Sequence, residues 1–170
     1  MRVEPAAVED AHAIAAVHVA SWQVAYAGLL PAEYLASLSV AQREAMWKES
    51  LERGTPQLLV ARSEREVVGF VAFGPSRDEG AMASCGEVWA LYLAPNVWSR
   101  GIGRALWFAA LERMLEQGFK SVSLWVIANN ERAIRFYRAA GFNPEEGSLK
   151  KFSLGGTPMH EVRFFFQSGG

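Results

Sequence analysis

The run VWSRGIGRAL, Val97 to Leu106, sets Gly101 and Gly103 one residue apart between Arg100 and Arg104, shortly after the apolar stretch VWALYLAP. Two glycines let a backbone turn sharply with its N–H groups outward, and in the first turn of a helix those unpaired amides and the helix dipole favour negative charge. Ser99, Arg100, Gly101, Ile102, Gly103 and Arg104 therefore form a candidate phosphate cradle, with Arg100 and Arg104 adding charge-assisted hydrogen bonds. A plainer alternative is a strand end followed by solvated arginines, since short glycine patterns arise often by chance. A dinucleotide site would want a third glycine where Leu106 stands, and an acid at the end of the following strand, which reads SVSLWVIAN. A triphosphate loop would want Lys and then Ser or Thr after the last glycine, where Arg104 and Ala105 follow. Coenzyme A is the remaining common bearer of a pyrophosphate.

The elements that must position this turn are legible in the hydrophobic periodicity. Arg2 to Glu4 reads as a short strand stopped by Pro5. Residues 9–26 and 31–53 read as two helices ended by Gly28 and Gly54, the second opened by Pro31. QLLVARS and EVVGFVAFG form a hairpin about Glu64 and Arg65, and residues 75–84 a polar loop. A strand over 88–94, a helix over 101–117 and a strand over 121–127 make a βαβ unit with a parallel strand pair. Along that helix Trp107, Phe108, Leu111, Met114 and Leu115 read as the buried stripe. Residues 130–140 form a further helix, with Ala133, Phe136, Tyr137 and Ala140 inward and Arg132, Arg135 and Arg138 outward. Two antiparallel strands near 150–154 and 159–166 close the chain.

Bulk composition narrows the partners. At 170 residues, 51% of them hydrophobic, the chain suits one domain with one sizeable core, here taken as 1–170. Seventeen basic against eighteen acidic residues give a net charge of −1, which calls for neither nucleic acid nor an anionic membrane. One cysteine, Cys85, excludes an internal disulfide and reads as a buried structural thiol, and three scattered histidines form no metal-ligand spacing. A cytoplasmic setting fits this usage, with no targeting or membrane-spanning segment apparent. The initial Met and the final SGG are the ends expected to fray.

LYLAPNVWSRGIGRAL, followed some thirty residues on by NNERAIRFYRAAGF, resembles the two signature motifs of the GNAT superfamily of acyl-CoA-dependent N-acetyltransferases. The likeness runs over nearly the whole chain in the family's element order. It implies an α/β (α+β) fold with a mixed, mostly antiparallel sheet whose central parallel strands splay apart around the pantetheine arm. It also implies acetyl-CoA as cosubstrate, no metal, and transfer of the acetyl group to a primary amine by direct attack. Backbone groups of Leu91, Tyr92 and Leu93 would bond the coenzyme, an N–H near Leu93 would stabilise the oxyanion, and Asn130 would touch the coenzyme or cap its helix. The family pattern usually places Gln or Arg where this chain has Trp98.

The same likeness assigns Glu87 as general base, directly or through a water, and Tyr137 as the acid that protonates the leaving thiolate. Each has a plainer reading: a solvated strand-end carboxylate and a core aromatic. Trp22, Tyr26, Trp89 and Trp125, with Tyr92 beside them, are the candidate acceptor-binding residues, aromatic faces suited to an alkylammonium or simply core. His18 shares a helical face with Trp22 and Tyr26 and reads as a hydrogen-bonded structural residue rather than a base. Enzymes of the family that act on ribosomal protein N-termini tend to carry a glutamate at the position of Trp125. The rival functions are a non-catalytic acyl-CoA-binding sensor and a nucleotide-binding oxidoreductase. The aromatic strand VRFFF is expected to offer an edge through which a homodimer could pair.

Overall fold

A computed structural model of the chain describes residues 1–169; Gly170, at the end of the SGG expected to fray, lies outside the described residues. The order is β1 (Arg2–Pro5), a 3-10 turn (Val8–Asp10), α1 (Ala11–Ala25), α2 (Ala32–Ala36), α3 (Val40–Arg53), β2 (Gln57–Ser63), β3 (Glu66–Pro75), β4 (Cys85–Leu93), a 3-10 turn (Pro95–Val97), α4 (Ile102–Glu116), β5 (Ser121–Ile127), α5 (Glu131–Ala139), β6 (Asn143–Pro144), β7 (Lys150–Leu154) and β8 (Thr157–Gln167). The strands form one eight-stranded sheet in the order β1-β2-β3-β4-β5-β8-β6, with β7 also on β8. Every pairing is antiparallel except β4 with β5.

Period-2 alternation divides the core between the two faces of the sheet. Leu58, Val60, Phe70 and Ala72 turn toward α1 and α3, where Ile14, Ala15, Val17 and Trp47 meet them. Their neighbours Leu59, Ala61, Val71 and Phe73 turn the other way, onto Leu106, Trp107, Ala110 and Met114 of α4. A clamp fixes the entry to α1: Arg62 of β2 reaches both oxygens of Asp10 at 3.0 and 2.8 Å and Glu4 of β1 at 2.6 Å. Three carboxylate oxygens on one half-buried guanidinium tie two strands to the first helix.

Several expected boundaries move. Residues 31–53 do not form one helix: Ser39 is extended and its hydroxyl accepts from the Gln42 N–H at 3.1 Å, so it starts α3 afresh after the short α2. On α4 the buried stripe is Ile102, Leu106, Trp107, Ala110 and Met114, whereas Phe108 and Leu115 are 49% and 44% exposed, because the helix turns toward the sheet by about one residue from the expected face. β4 begins at Cys85 rather than 88, since Cys85 and Gly86 pair with β5 and Gly86 also pairs with Pro75 of β3. The two-residue β6, unforeseen, pairs Asn143 and Pro144 with Phe165 and Phe164. It also overturns the expected free edge at VRFFF, for β8 carries β5 along one side and β6 and β7 along the other.

Candidate active site

The glycine turn begins α4. Gly101 is left-handed at φ +83°, as is Ser99 at +64°, and the first backbone bond of the helix runs from the Ala105 N–H to the Gly101 carbonyl at 3.1 Å. The N–H groups of Ile102, Gly103 and Arg104 consequently have no acceptor among the described residues. Gly103 is there for space: a Cβ would stand 3.2 Å from the Phe136 ring and 3.5 Å from Leu93, so only glycine lets α4 approach α5 and β4 this closely.

Trp98 closes the turn on the side where the family pattern differs. Its indole N–H donates to the Leu93 carbonyl at 3.0 Å, and the Arg132 guanidinium of α5 lies 3.6 Å over its ring. Arg104 sits over Phe108 at 5.1 Å, with both side chains exposed. Burial and the neighbouring Arg135 hold the Arg132 guanidinium below its usual range. A second cation beside a partly desolvated one favours an anion at this end.

β4 and β5 pair only from Cys85 to Glu87 and then diverge. The Ala94 N–H donates to Val68 across β3, so alternation turns the N–H and C=O groups of Leu91 and Leu93 into the gap, while those of Tyr92 face β3. The gap widens into a cleft of about 1190 Å³, which brings together Glu87, Tyr137, Leu91, Tyr92, Leu93, Ser99, Gly101, Gly103, Arg104, Asn130 and the four expected acceptor-side aromatics. Arg100 and Ile102 flank the turn outside that lining.

Glu87 is not a solvated strand-end carboxylate: it is 1% exposed, third in β4, and held by Arg77 through a backbone N–H at 2.8 Å and a guanidinium N–H at 2.7 Å. Tyr137 packs edge-on between Phe136 and Phe142, and its hydroxyl has no hydrogen-bond partner among the described residues. Burial, with Tyr92 and Tyr26 adding to it, pushes the Tyr137 phenol well above its ordinary value. Asn130 does two things at once. Its side-chain oxygen caps α5 by accepting from the Ala133 N–H at 3.1 Å, and its amide donates to the Tyr26 hydroxyl at 3.2 Å, joining α5 to α1.

The acceptor-side aromatics are less free than their spacing suggested. Trp89 already carries the Arg77 guanidinium at 4.2 Å from its ring, and Trp125 the Lys150 ammonium at 5.3 Å. The Trp125 indole also donates to Asp78 at 2.9 Å, and Asp78 is bound by Arg163 at 2.9 Å. Trp22 packs on Tyr26 at 4.8 Å. His18 lies behind the cleft: its Nδ1 accepts from the Trp47 indole at 3.1 Å, its ring stacks on Tyr92 at 4.9 Å, and burial followed by Arg43 pushes it down to about 4. A histidine kept neutral in this way is structural.

Sequence reasoning missed three contributors, namely Arg77, Arg132 as the cation over Trp98, and Glu161 of β8, which also lines the cleft. Arg77 sits in a polar loop with no periodicity, and Glu161 is one acid in a strand paired to β5 only through the fold.

These features fit coenzyme A. Unpartnered amides open α4 beside three arginines, and beyond Glu87 the β4 edge, no longer paired with β5, faces the cleft. The acetyltransferase (GNAT) family model matches residues 21–142. The chain is 38% identical over 161 residues to the uncharacterized N-acetyltransferase YuaI of Bacillus subtilis, covering 94% of this chain and 89% of that one. It is 27% identical over 159 residues to spermidine N(1)-acetyltransferase of Thermoplasma acidophilum, covering 91% and 95%. In fold it resembles the PaiA N-acetyltransferase of Thermoplasma acidophilum solved in complex with coenzyme A, at TM-score 0.76 and 22% identity over 98% of this chain and 99% of that one. A glycine turn at a helix start, a splayed parallel strand pair and a match over residues 21–142 agree: the chain belongs to the GNAT acetyltransferase family.

Proposed function

We propose that this acetyl-CoA-dependent N-acetyltransferase works by direct attack of a primary amine in the β4–β5 gap, with Glu87 taking the amine's proton and Tyr137 protonating the departing sulfur. The observation that carries this reading is the meeting of Glu87 and Tyr137 in one cleft with the amide cradle of residues 99–104. Acetyl-CoA supplies the activated acetyl group and a thiol leaving group. The remaining work falls to the chain.

The cradle, the gap-facing groups of Leu91, and Asn130 hold the coenzyme; the Leu93 carbonyl is taken by the Trp98 indole, and the Leu93 N–H is available to the reacting carbonyl oxygen. An alkylammonium has a pKa of ~10.4, so at neutral pH it must shed a proton before its nitrogen can attack. Arg77 donates to Glu87 Oε1 through its backbone N–H and its Nε–H and to Oε2 through one further guanidinium N–H, which orients the carboxylate and leaves a lone pair on Oε2 for that proton. The elevated phenol of Tyr137 keeps its proton at neutral pH, where a departing thiolate can take it. Trp22, Tyr26, Trp89 and Trp125 form the acceptor walls. A buried lone thiol, Cys85, suits a reducing cytoplasm.

Thiol release over a panel of amines tests this reading. Tyr137→Phe and Glu87→Gln should each lower kcat by roughly a hundredfold with the KM for acetyl-CoA unchanged. Wild-type rates in both variants would remove these roles. Coenzyme binding without thiol release for any amine would instead favour the sensor.

A further inference from the structure

The cleft has two chemically different ends. Arg104, Arg132 and Arg135 line it near the cradle, where a diphosphate belongs. Only two carboxylates, Glu87 and Glu161, line it among the described residues. Arg77 neutralises Glu87, whereas Glu161 has neither an ion pair nor a side-chain hydrogen bond among the described residues. Lys150, opposite it in the β7–β8 register, leans over the Trp125 ring instead.

Register places Glu161 on a definite face. It lies opposite Ile127 of β5, two residues from Arg163 opposite Trp125, so all four side chains share the α1 side of the sheet. Next to it is the apolar cluster of Tyr26, Ile127 and Met159, flanked by Trp22 and Phe152. Burial raises the Glu161 carboxyl, Lys150 and Arg77 oppose this, and Asp78 and Glu87 add to it. A half-buried acid crowded by two others gains from a cation brought to it.

Resting on the acetyl-transfer reading, we propose that Glu161 anchors a second ammonium group of the acceptor, which makes this a site for aliphatic diamines and polyamines. Methylenes of such a molecule lie along Tyr26, Ile127 and Phe152, one amine stands at the gap and the other pairs with Glu161. An amino acid or an acidic peptide would bring a carboxylate to the same place and be disfavoured by like charge.

Calorimetric titration of 1,4-diaminobutane, 1,6-diaminohexane and n-butylamine into the full-length protein tests the anchor without any need for turnover. The wild type should bind at least one diamine roughly tenfold or more tighter than butylamine, and Glu161→Gln should abolish that difference with butylamine and acetyl-CoA affinities unchanged. Glu161→Asp, which keeps the charge, should retain most of the preference, and it takes over the test if the Gln variant fails to bind acetyl-CoA. Diamines that bind no better than butylamine, or a Gln variant that loses all amines alike or none, would overturn the anchor. Failure of the wild type to release thiol would overturn acetyl transfer instead, and the titration would still decide Glu161.

Discussion

The two ends of the cleft are built from different materials. At the coenzyme end one contiguous segment, residues 98–104, supplies main-chain donors through two left-handed residues and an uncapped helix start. At the acceptor end Trp22, Arg77, Trp125, Phe152 and Glu161 come from α1, the loop after β3, β5, β7 and β8, and meet only because the sheet brings them together. A main-chain site depends on local backbone geometry and tolerates changes of side chain around it. A side-chain site depends on topology, and one substitution alters its chemistry.

The strongest way to break this contrast is at Gly103. A Val there meets Phe136 and Leu93, and overpacking of this kind costs about 1–3 kcal/mol. The strain falls on the first turn of α4, so acetyl-CoA affinity should drop on the order of a hundredfold. The route is displacement of the helix from α5 rather than a side chain lying over the amides. Arg100→Ala, at an exposed side chain outside the cleft lining, should cost only a few-fold. Calorimetry with acetyl-CoA on both variants checks the order; a larger loss in Arg100→Ala would make the cradle a side-chain site.

His18 sharpens the contrast from the other end, since it underlies the acceptor wall through Tyr92. Its folded value of about 4 lies below the ordinary 6.5, so the fold favours the neutral ring. The stabilisation is complete above pH 6.5, falls as pH drops through the window between 6.5 and about 4, and levels off below it. A tenfold change in proton affinity is worth about 1.4 kcal/mol, which makes the acid loss on the order of 3 kcal/mol. Denaturant unfolding between pH 7 and 4 should show this slope in the wild type and not in His18→Asn; an equal slope in both would mean that other groups carry it.

The βαβ unit was legible because an apolar run, a glycine turn and a helical stripe follow one another in the chain, and period alone separates them. The break at Ser39 carried a local signal, a Ser before a helical pattern, that the surrounding apolar periodicity outweighed. Arg77 and Glu161 carried none. Their roles arise from pairings between β3 and β4 and between β5 and β8, and nothing in PSRDEG or MHEVRF distinguishes one charged residue from another. The aromatics were found as residues but the cations resting on Trp89 and Trp125 were not, because these come from Arg77 and Lys150, 12 and 25 residues away in the chain.

The smallest effect tests whether side chains matter at all where the backbone dominates. Trp98 stands where the family pattern has Gln or Arg, and it gives its one N–H to Leu93, so it offers no donor to a phosphate. Its ring instead holds Arg132 at 3.6 Å, a cation–π contact worth about 0.5–2 kcal/mol that parks a guanidinium beside the cradle. Arg132→Ala should therefore weaken acetyl-CoA binding by roughly three- to tenfold and flatten its dependence on salt, since one fewer charge faces the phosphates. Trp98→Gln should cost less than Arg132→Ala, because glutamine restores a donor as it releases the arginine. If Arg132→Ala leaves both affinity and salt dependence untouched, the amides hold the diphosphate unaided, and the contrast between a main-chain end and a side-chain end becomes complete.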